Sequence, residues 1–287
     1  MGENQVQLRM VATSAVVFLL LAAALVVLLW WSQERIVFQP PAPGQRAYHV
    51  EGRVDYTADD GQRLWGFVVG EPRSAAGLLI SFHGNGDLAV NQLPWAHEVN
   101  ERTGWAVLLA EYRGYGGIDG RPTADGVRLD ARAAYAAAVA ALGADPRRIA
   151  LHGHSLGTAI ATELAADPTA APVYALLLES PFTSVRDMAR RTAGYAALLL
   201  RGRLMRFQWD TEAAVRELPV SIAVAHGARD GVVPVRMGRR VHAAAAVPGP
   251  LLIVEEAGHN DVAWNGGEEY WHWLARSLPE PPVRSLP

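Results

Sequence analysis

Gly153-His154-Ser155-Leu156-Gly157 is the stretch on which the fold turns. It stands between a short apolar run ending at Leu151 and an apolar-periodic stretch from Leu156 to Ala166, so the pattern predicts a strand, a sharp turn and a helix. Glycines at 153 and 157 let a strained turn form and neighbouring backbones approach, which leaves the Ser155 hydroxyl exposed at a helix N-terminus. A serine placed this way is a candidate nucleophile. Its hydroxyl attacks poorly until a base takes the proton, so the pentapeptide sends the search to a histidine and an acid farther along the chain.

Working outward, the pentapeptide lies inside an alternation of strands and helices. Apolar runs at Leu78 to Phe82, Ala106 to Ala110, Ile149 to Leu151, Tyr174 to Leu178, Ser221 to Ala225 and Leu251 to Val254 read as strands buried on both faces. Helical stretches separate them at Leu88 to Arg102, Ala124 to Leu142, Leu156 to Ala166, Arg236 to Ala246 and Val262 to Leu278. Such repetition predicts an α/β fold: a mostly parallel sheet with helices on both faces. Tyr48 to Tyr56 and Arg63 to Val69, split by Asp59-Asp60-Gly61, predict an antiparallel hairpin ahead of it. Thr183 to Leu218 breaks the rhythm with an arginine-rich, partly amphipathic stretch and is expected to form a small helical cap.

The base expected at the C-terminal end of a strand is His259, reached from Leu251 to Val254 through Glu255-Glu256-Ala257-Gly258. His272 lies mid-helix and His242 on a helical face, where packed or solvated roles fit better. An acid holding the imidazole should come between serine and histidine in the chain. Asp230 meets that requirement in the loop after Ser221 to Ala225, with Glu179 and Asp261 as rivals. His83-Gly84-Asn85-Gly86 follows the strand Leu78 to Phe82, so the backbone N–H groups of Asn85 and Leu156 are the expected oxyanion donors. His83, Gly84 and Gly86 are read as supporting that loop, and His154 as a packed neighbour of the turn.

Met10 to Trp31 supplies twenty-two residues without a charged side chain. At about 1.5 Å per residue that length crosses a hydrocarbon core of about 30 Å, so one transmembrane helix is expected. Trp30 and Trp31 are what a membrane interface favours, and no small-x-small triplet stands at the end of the apolar run directly before Gln33, where a signal peptide would be cut. Gln39 to Gly44, Gln-Pro-Pro-Ala-Pro-Gly, is a stiff connector that cannot continue a helix. The expected division is a tail over 1–9, a membrane segment over 10–31, a linker over 32–47, a catalytic domain over 48–278 with its cap at 183–218, and a tail over 279–287. Arg9 and the terminal amine on one side and Arg35 and Arg46 on the other give almost no positive-inside bias, and an extracytoplasmic catalytic domain is the expectation from the short segment ahead of the span.

Composition narrows the function classes. The 287 residues carry a formal net charge of −3, and the 26 basic residues are spread evenly, so no basic stripe is available to track a nucleic acid. Cysteine is absent, which removes thiolate nucleophiles, disulfides and cysteine-ligated metals. No metal or organic cofactor is expected.

In the order His83-Gly84-Asn85-Gly86, Tyr112-Arg113-Gly114-Tyr115-Gly116, Gly153-His154-Ser155-Leu156-Gly157, Asp230 and Gly258-His259-Asn260-Asp261, the motifs resemble those of membrane-anchored ABHD-type α/β-hydrolases. The likeness runs over most of the chain from Phe38 onward, departing at Gly117-Ile118, where related chains usually carry a serine. It implies an α/β-hydrolase fold, one N-terminal membrane anchor, a small cap, and hydrolysis of carboxylic esters or thioesters of acyl or lipid-like substrates. A serine peptidase or aminopeptidase is the alternative enzymatic reading. A non-catalytic membrane-bound interaction module is the alternative of another class.

Overall fold

A computed structural model describes residues 2–41, 51–170, 173–193 and 205–278. Eight strands form one sheet: β1 (Arg53–Thr57), β2 (Arg63–Val69), β3 (Leu78–Phe82), β4 (Ala106–Ala110), β5 (Ile149–His154), β6 (Ala175–Glu179), β7 (Ser221–Gly227) and β8 (Val247–Val254). Their spatial order is β1-β2-β4-β3-β5-β6-β7-β8. β2 runs antiparallel to β1 and β4, whereas every pair from β4 onward is parallel. The parallel strands therefore end together at one edge, where loops carrying residues distant in sequence converge.

Two apolar cores flank the sheet because strand side chains alternate between its faces. Leu78, Ile80 and Phe82 of β3 enter one core with Leu108, Leu151, Leu176 and Val224. Leu79 enters the other with Val107, Leu109, Ala150, Leu177 and Tyr270. Helices α2 (Leu93–Thr103), α3 (Ala124–Ala140), α4 (Leu156–Ala165), α7 (Val235–Ala244) and α8 (Val262–Ser277) cover these faces. Thr123 starts α3 by accepting the Gly126 amide on its side-chain oxygen, the usual service of a threonine at a helix N-terminus. Arg113 ties the loop after β4 to α3: its guanidinium grips Asp130 in a two-toothed contact and also reaches Asp60.

Several element boundaries differ from the sequence pattern. The stretch from Leu88 splits into a short 3-10 turn, Ala89–Gln92, and α2, which begins next to Pro94. Pro94 is tolerated there because the first turn of a helix needs no donor from it. β8 begins at Val247, earlier than expected, and passes through Pro248 and Pro250. Proline lacks a ladder donor and is confined to edge strands, and β8 is one. β5 runs on to His154, so the turn starts only at Ser155. Of the expected hairpin, 48–50 lie outside the described residues. So do 194–204 of the expected cap, which is seen as α5 (Val185–Ala193) and the single turn α6 (Thr211–Ala214).

The N-terminal helix, α1, spans Gly2–Val37, overrunning the expected segment at both ends. Residues 32–37 of the expected linker are thus helical, the chain leaves the helix over 38–41, where Pro40 and Pro41 are the first residues that forbid continuation, and 42–47 lie outside the described residues. Within it Gln7–Val37 is long and apolar enough to cross a membrane. Its end is docked on the sheet domain. Phe38 is buried with its ring edge-on to Trp209, Glu34 pairs with Arg206 at 3.3 Å, and the Arg206 guanidinium lies 5.1 Å from the Trp30 ring.

Candidate active site

Ser155 occupies the single residue between β5 and α4, with φ at 51° and ψ at −113°. That left-handed value is costly for a residue with a side chain, and the surroundings impose it. Gly153 and Gly157 face each other so closely that a β-carbon on either would collide with backbone, of Gly157 in the first case and of Phe82 in the second. The tight crossing pushes Ser155 out at the end of the sheet.

Two loops from neighbouring strands meet it. His259, after β8, has its Nε2 2.8 Å from Ser155 Oγ, and its Nδ1 donates to Asp230 Oδ2 at 2.7 Å. Asp230, in the loop after β7, accepts the Val232 and Val233 amides on its other oxygen at 2.8 and 2.7 Å. Burial would push its carboxyl up, but His226 and His259 together with the amides outweigh burial and hold it well below the usual carboxylate range. An ionised Asp230 fixes the proton of His259 on Nδ1, leaving Nε2 to face the serine.

The rival acids lie elsewhere. Asp261 receives the Gly258 amide at 2.6 Å and the Asn265 side chain at 2.9 Å, and so shapes the turn that presents His259. Glu179 ends β6 and accepts the Tyr270 hydroxyl at 2.8 Å, with His152 beside it.

Around Ser155, the Asn85 and Leu156 amides donate no backbone hydrogen bond among the described residues. The loop bearing Asn85 is braced from below. His83 Nε2 lies 2.7 Å from Glu111 Oε1 and its Nδ1 lies 2.8 Å from the Gly84 carbonyl, so both ring nitrogens face acceptors. Burial pulls this imidazole down, yet the Glu111 carboxylate beside it wins and holds it above its ordinary value. Glu111 also accepts the Ala89 and Tyr112 amides. Gly84 passes so near the His154 ring that a β-carbon would sit 2.7 Å from Nδ1, and Gly86 has φ at +73°. His154 does more than pack. Burial lowers its basicity, and its Nε2 donates to the His259 carbonyl at 3.0 Å, bracing the loop that carries the base.

Pattern reading did not find Glu111, Gln39 or the His152 and Tyr270 side chains. Glu111 had a usable signal, an acid directly after β4 at the sheet edge where the loops meet. Gln39 had none. A second row of serine, histidine and acid is also present: Ser81 Oγ is 2.9 Å from His152 Nδ1, and His152 Nε2 is 3.7 Å from Glu179 Oε2. A cavity of about 880 Å³ opens on Ser155 and His259 and reaches Glu179 and His152.

Residues 78–282, more than half of the chain, match the Alpha/beta hydrolase family. The chain is 34% identical over 259 residues to an uncharacterized protein of Mycobacterium tuberculosis, covering 88% of this chain and 89% of that one. It is 29% identical over 276 residues to the alpha/beta hydrolase domain-containing protein WAV2 of Arabidopsis thaliana, covering 86% and 89%. Among solved structures, a Pyrococcus furiosus esterase superposes with a TM-score of 0.64 at 17% identity, covering 84% of this chain and all of the other, a likeness of fold. The chain belongs to the alpha/beta hydrolase family, and within it is a serine hydrolase.

Proposed function

We propose that the protein hydrolyses carboxylic esters or thioesters of acyl or lipid-like substrates, with Ser155 as nucleophile, His259 as base and Asp230 as the acid that orients it. The observation that carries this reading is the relay from Asp230 Oδ2 through His259 to Ser155 Oγ, with contacts of 2.7 and 2.8 Å. Ser81 is the weaker nucleophile candidate. It is buried inside β3, and the histidine beside it makes no hydrogen bond to the acid of its row.

In the proposed cycle Ser155 Oγ attacks the acyl carbon while His259 Nε2 takes its proton. The tetrahedral oxyanion forms between the Asn85 and Leu156 amides, each such donor being worth about 3 to 4 kcal/mol in a water-poor site. Collapse expels the alcohol or thiol, which takes the proton back from His259. Water, deprotonated by the same nitrogen, then attacks the acyl-enzyme and releases the carboxylic acid.

The finer reading is an ABHD-type hydrolase held by a single N-terminal membrane helix, with its catalytic domain outside the cytoplasm. Support comes from the length and apolarity of Gln7–Val37 and from a stretch of 151 residues 31% identical to human protein ABHD12B, covering 48% of this chain. Protease accessibility in intact cells tests the orientation.

A fluorophosphonate probe tests the nucleophile. Labelling is expected to vanish in Ser155→Ala and to persist in Ser81→Ala; labelling that survives Ser155→Ala removes Ser155 from the reaction.

A further inference from the structure

Beyond Ser155, the cavity runs to a floor that the relay does not use. Glu179 stands at the end of β6, and its backbone carbonyl accepts the Ser155 amide at 2.9 Å, which seats it beside the nucleophile. Its carboxylate accepts from Tyr270, whose hydroxyl in turn receives the Trp95 indole N–H at 2.9 Å. His152 is 2% exposed, and Trp95 stacks on its ring at 4.6 Å. Its Nδ1 faces Ser81, while its buried Nε2 has no hydrogen-bond partner among the described residues. That nitrogen lies 3.7 Å from Glu179 Oε2, too far for a hydrogen bond between them. Both residues line the cavity.

The floor carries the Glu179 carboxylate, held by the Tyr270 hydroxyl at 2.8 Å. Trp95, Trp264 and Trp271 line the same cavity. Arg102 also lines it, but its guanidinium is engaged by Glu98 and Glu268 and lies over Trp271. A buried carboxylate at the floor of a cavity walled by tryptophans is the chemistry that selects an ammonium group over a neutral one. Glu179 Oε2 accepts the Tyr270 hydroxyl and keeps a second lone pair; with the His152 proton on Nδ1, facing Ser81, that lone pair and the unpartnered Nε2 are two acceptors at a spacing that one N–H-bearing group can bridge.

We propose that Glu179 and His152 form a subsite for a primary ammonium group carried by the ester substrate, seated while its acyl carbon lies at Ser155. The proposal rests on Ser155 being the nucleophile. Glu179 and His152 bind in it and take no proton in the reaction.

The test uses the full-length protein in detergent micelles at neutral pH with three butyrate esters of matched length. One ends in a primary ammonium, one in trimethylammonium and one in a methyl group. The expected result is a kcat/KM at least tenfold higher for the primary ammonium ester than for the neutral one, the ratio falling to near one in Glu179→Gln. A trimethylammonium ester hydrolysed as well as the primary one overturns the bridging role of His152. A second measurement needs no variant: butylammonium should competitively inhibit hydrolysis of the neutral ester by the wild-type protein, and butanol at equal concentration should not. Equal kcat/KM for ammonium and neutral esters, with fluorophosphonate still labelling Ser155, overturns the subsite alone. A wild-type protein that neither hydrolyses any of the three esters nor takes the fluorophosphonate label overturns the Ser155 reading, and this one with it.

Discussion

The Gln39 amide, two residues beyond the end of α1, donates to Asn85 Oδ1 at 2.8 Å, and the Tyr115 hydroxyl donates to the same oxygen at 2.9 Å. The loop that would supply an oxyanion donor is thereby pinned by its side chain to the chain emerging from the N-terminal helix. Phe38 anchors that connection in the core. Asn85→Ala keeps the backbone amide and removes both tethers. Each lost bond is worth about 1 kcal/mol, so a fall in kcat of about tenfold with little change in KM is expected, since a loosened donor weakens the transition state more than the ground state. Steady-state hydrolysis of a nitrophenyl butyrate measures this. A wild-type kcat would mean that the loop holds its place without the tether.

Asp230 is the acid bonded to His259, whereas Asp261 only shapes the turn beside it. Asp230→Asn preserves shape but presents the imidazole with an amide, which favours the wrong tautomer; kcat should fall by about 10⁴ with the fold retained. Asp261→Asn keeps an acceptor for the Gly258 amide and should change turnover only a few-fold. Comparing the two by kcat and circular dichroism separates the roles, and near-normal turnover in Asp230→Asn would reassign the acid.

The sheet was legible because its strands are apolar runs of ordinary length and its turn carries two glycines that nothing larger could replace. Ser155, His259 and Asp230 were nameable because each follows a strand, so chain position alone aims them at one edge. What stayed hidden depends on which side chains meet across the fold. Pattern can flag Glu111 as an acid after a strand, but only tertiary packing puts His83 against it. Likewise the Gln39 contact uses a backbone amide, which has no sequence signature. The apolar run at Leu251 showed only the second half of β8, because the edge position that lets Pro248 and Pro250 join a strand is a property of the finished sheet.

His83 and Glu111 form a buried pair in which the protonated imidazole satisfies two acceptors. Because folding raises the pKa of this histidine, its contribution is fully present below the unfolded value of about 6.5. It fades as pH rises through the higher folded value, by at most about 1.4 kcal/mol per pH unit for one proton. Urea denaturation between pH 6 and 9 should therefore show wild-type stability declining on the alkaline side. His83→Gln should be less stable at pH 6 and show a flatter profile. Parallel profiles for the two proteins would show that the pair does not titrate in that window.

Arg113 and Asp130 form another buried charge pair, with the carboxylate side chain 1% exposed and the guanidinium 10% exposed. Asp130 also accepts the Arg113 backbone amide at 2.9 Å, so the pair fixes the loop after β4 onto α3. Asp130→Ala leaves the guanidinium only Asp60 and orphans the Arg113 backbone amide, and should cost about 3 kcal/mol. Arg113→Lys should also destabilise, since an ammonium cannot reproduce the planar grip on Asp130 while reaching Asp60. Replacing both partners by apolar residues of similar volume, Arg113→Met with Asp130→Leu, should recover most of the loss, because the cost lies in the unpaired charge rather than in the missing attraction. Urea midpoints of the single and double variants form the cycle that decides. If the double variant is no more stable than Asp130→Ala, the pair's main service is the hydrogen bond to the Arg113 amide, which leucine cannot replace.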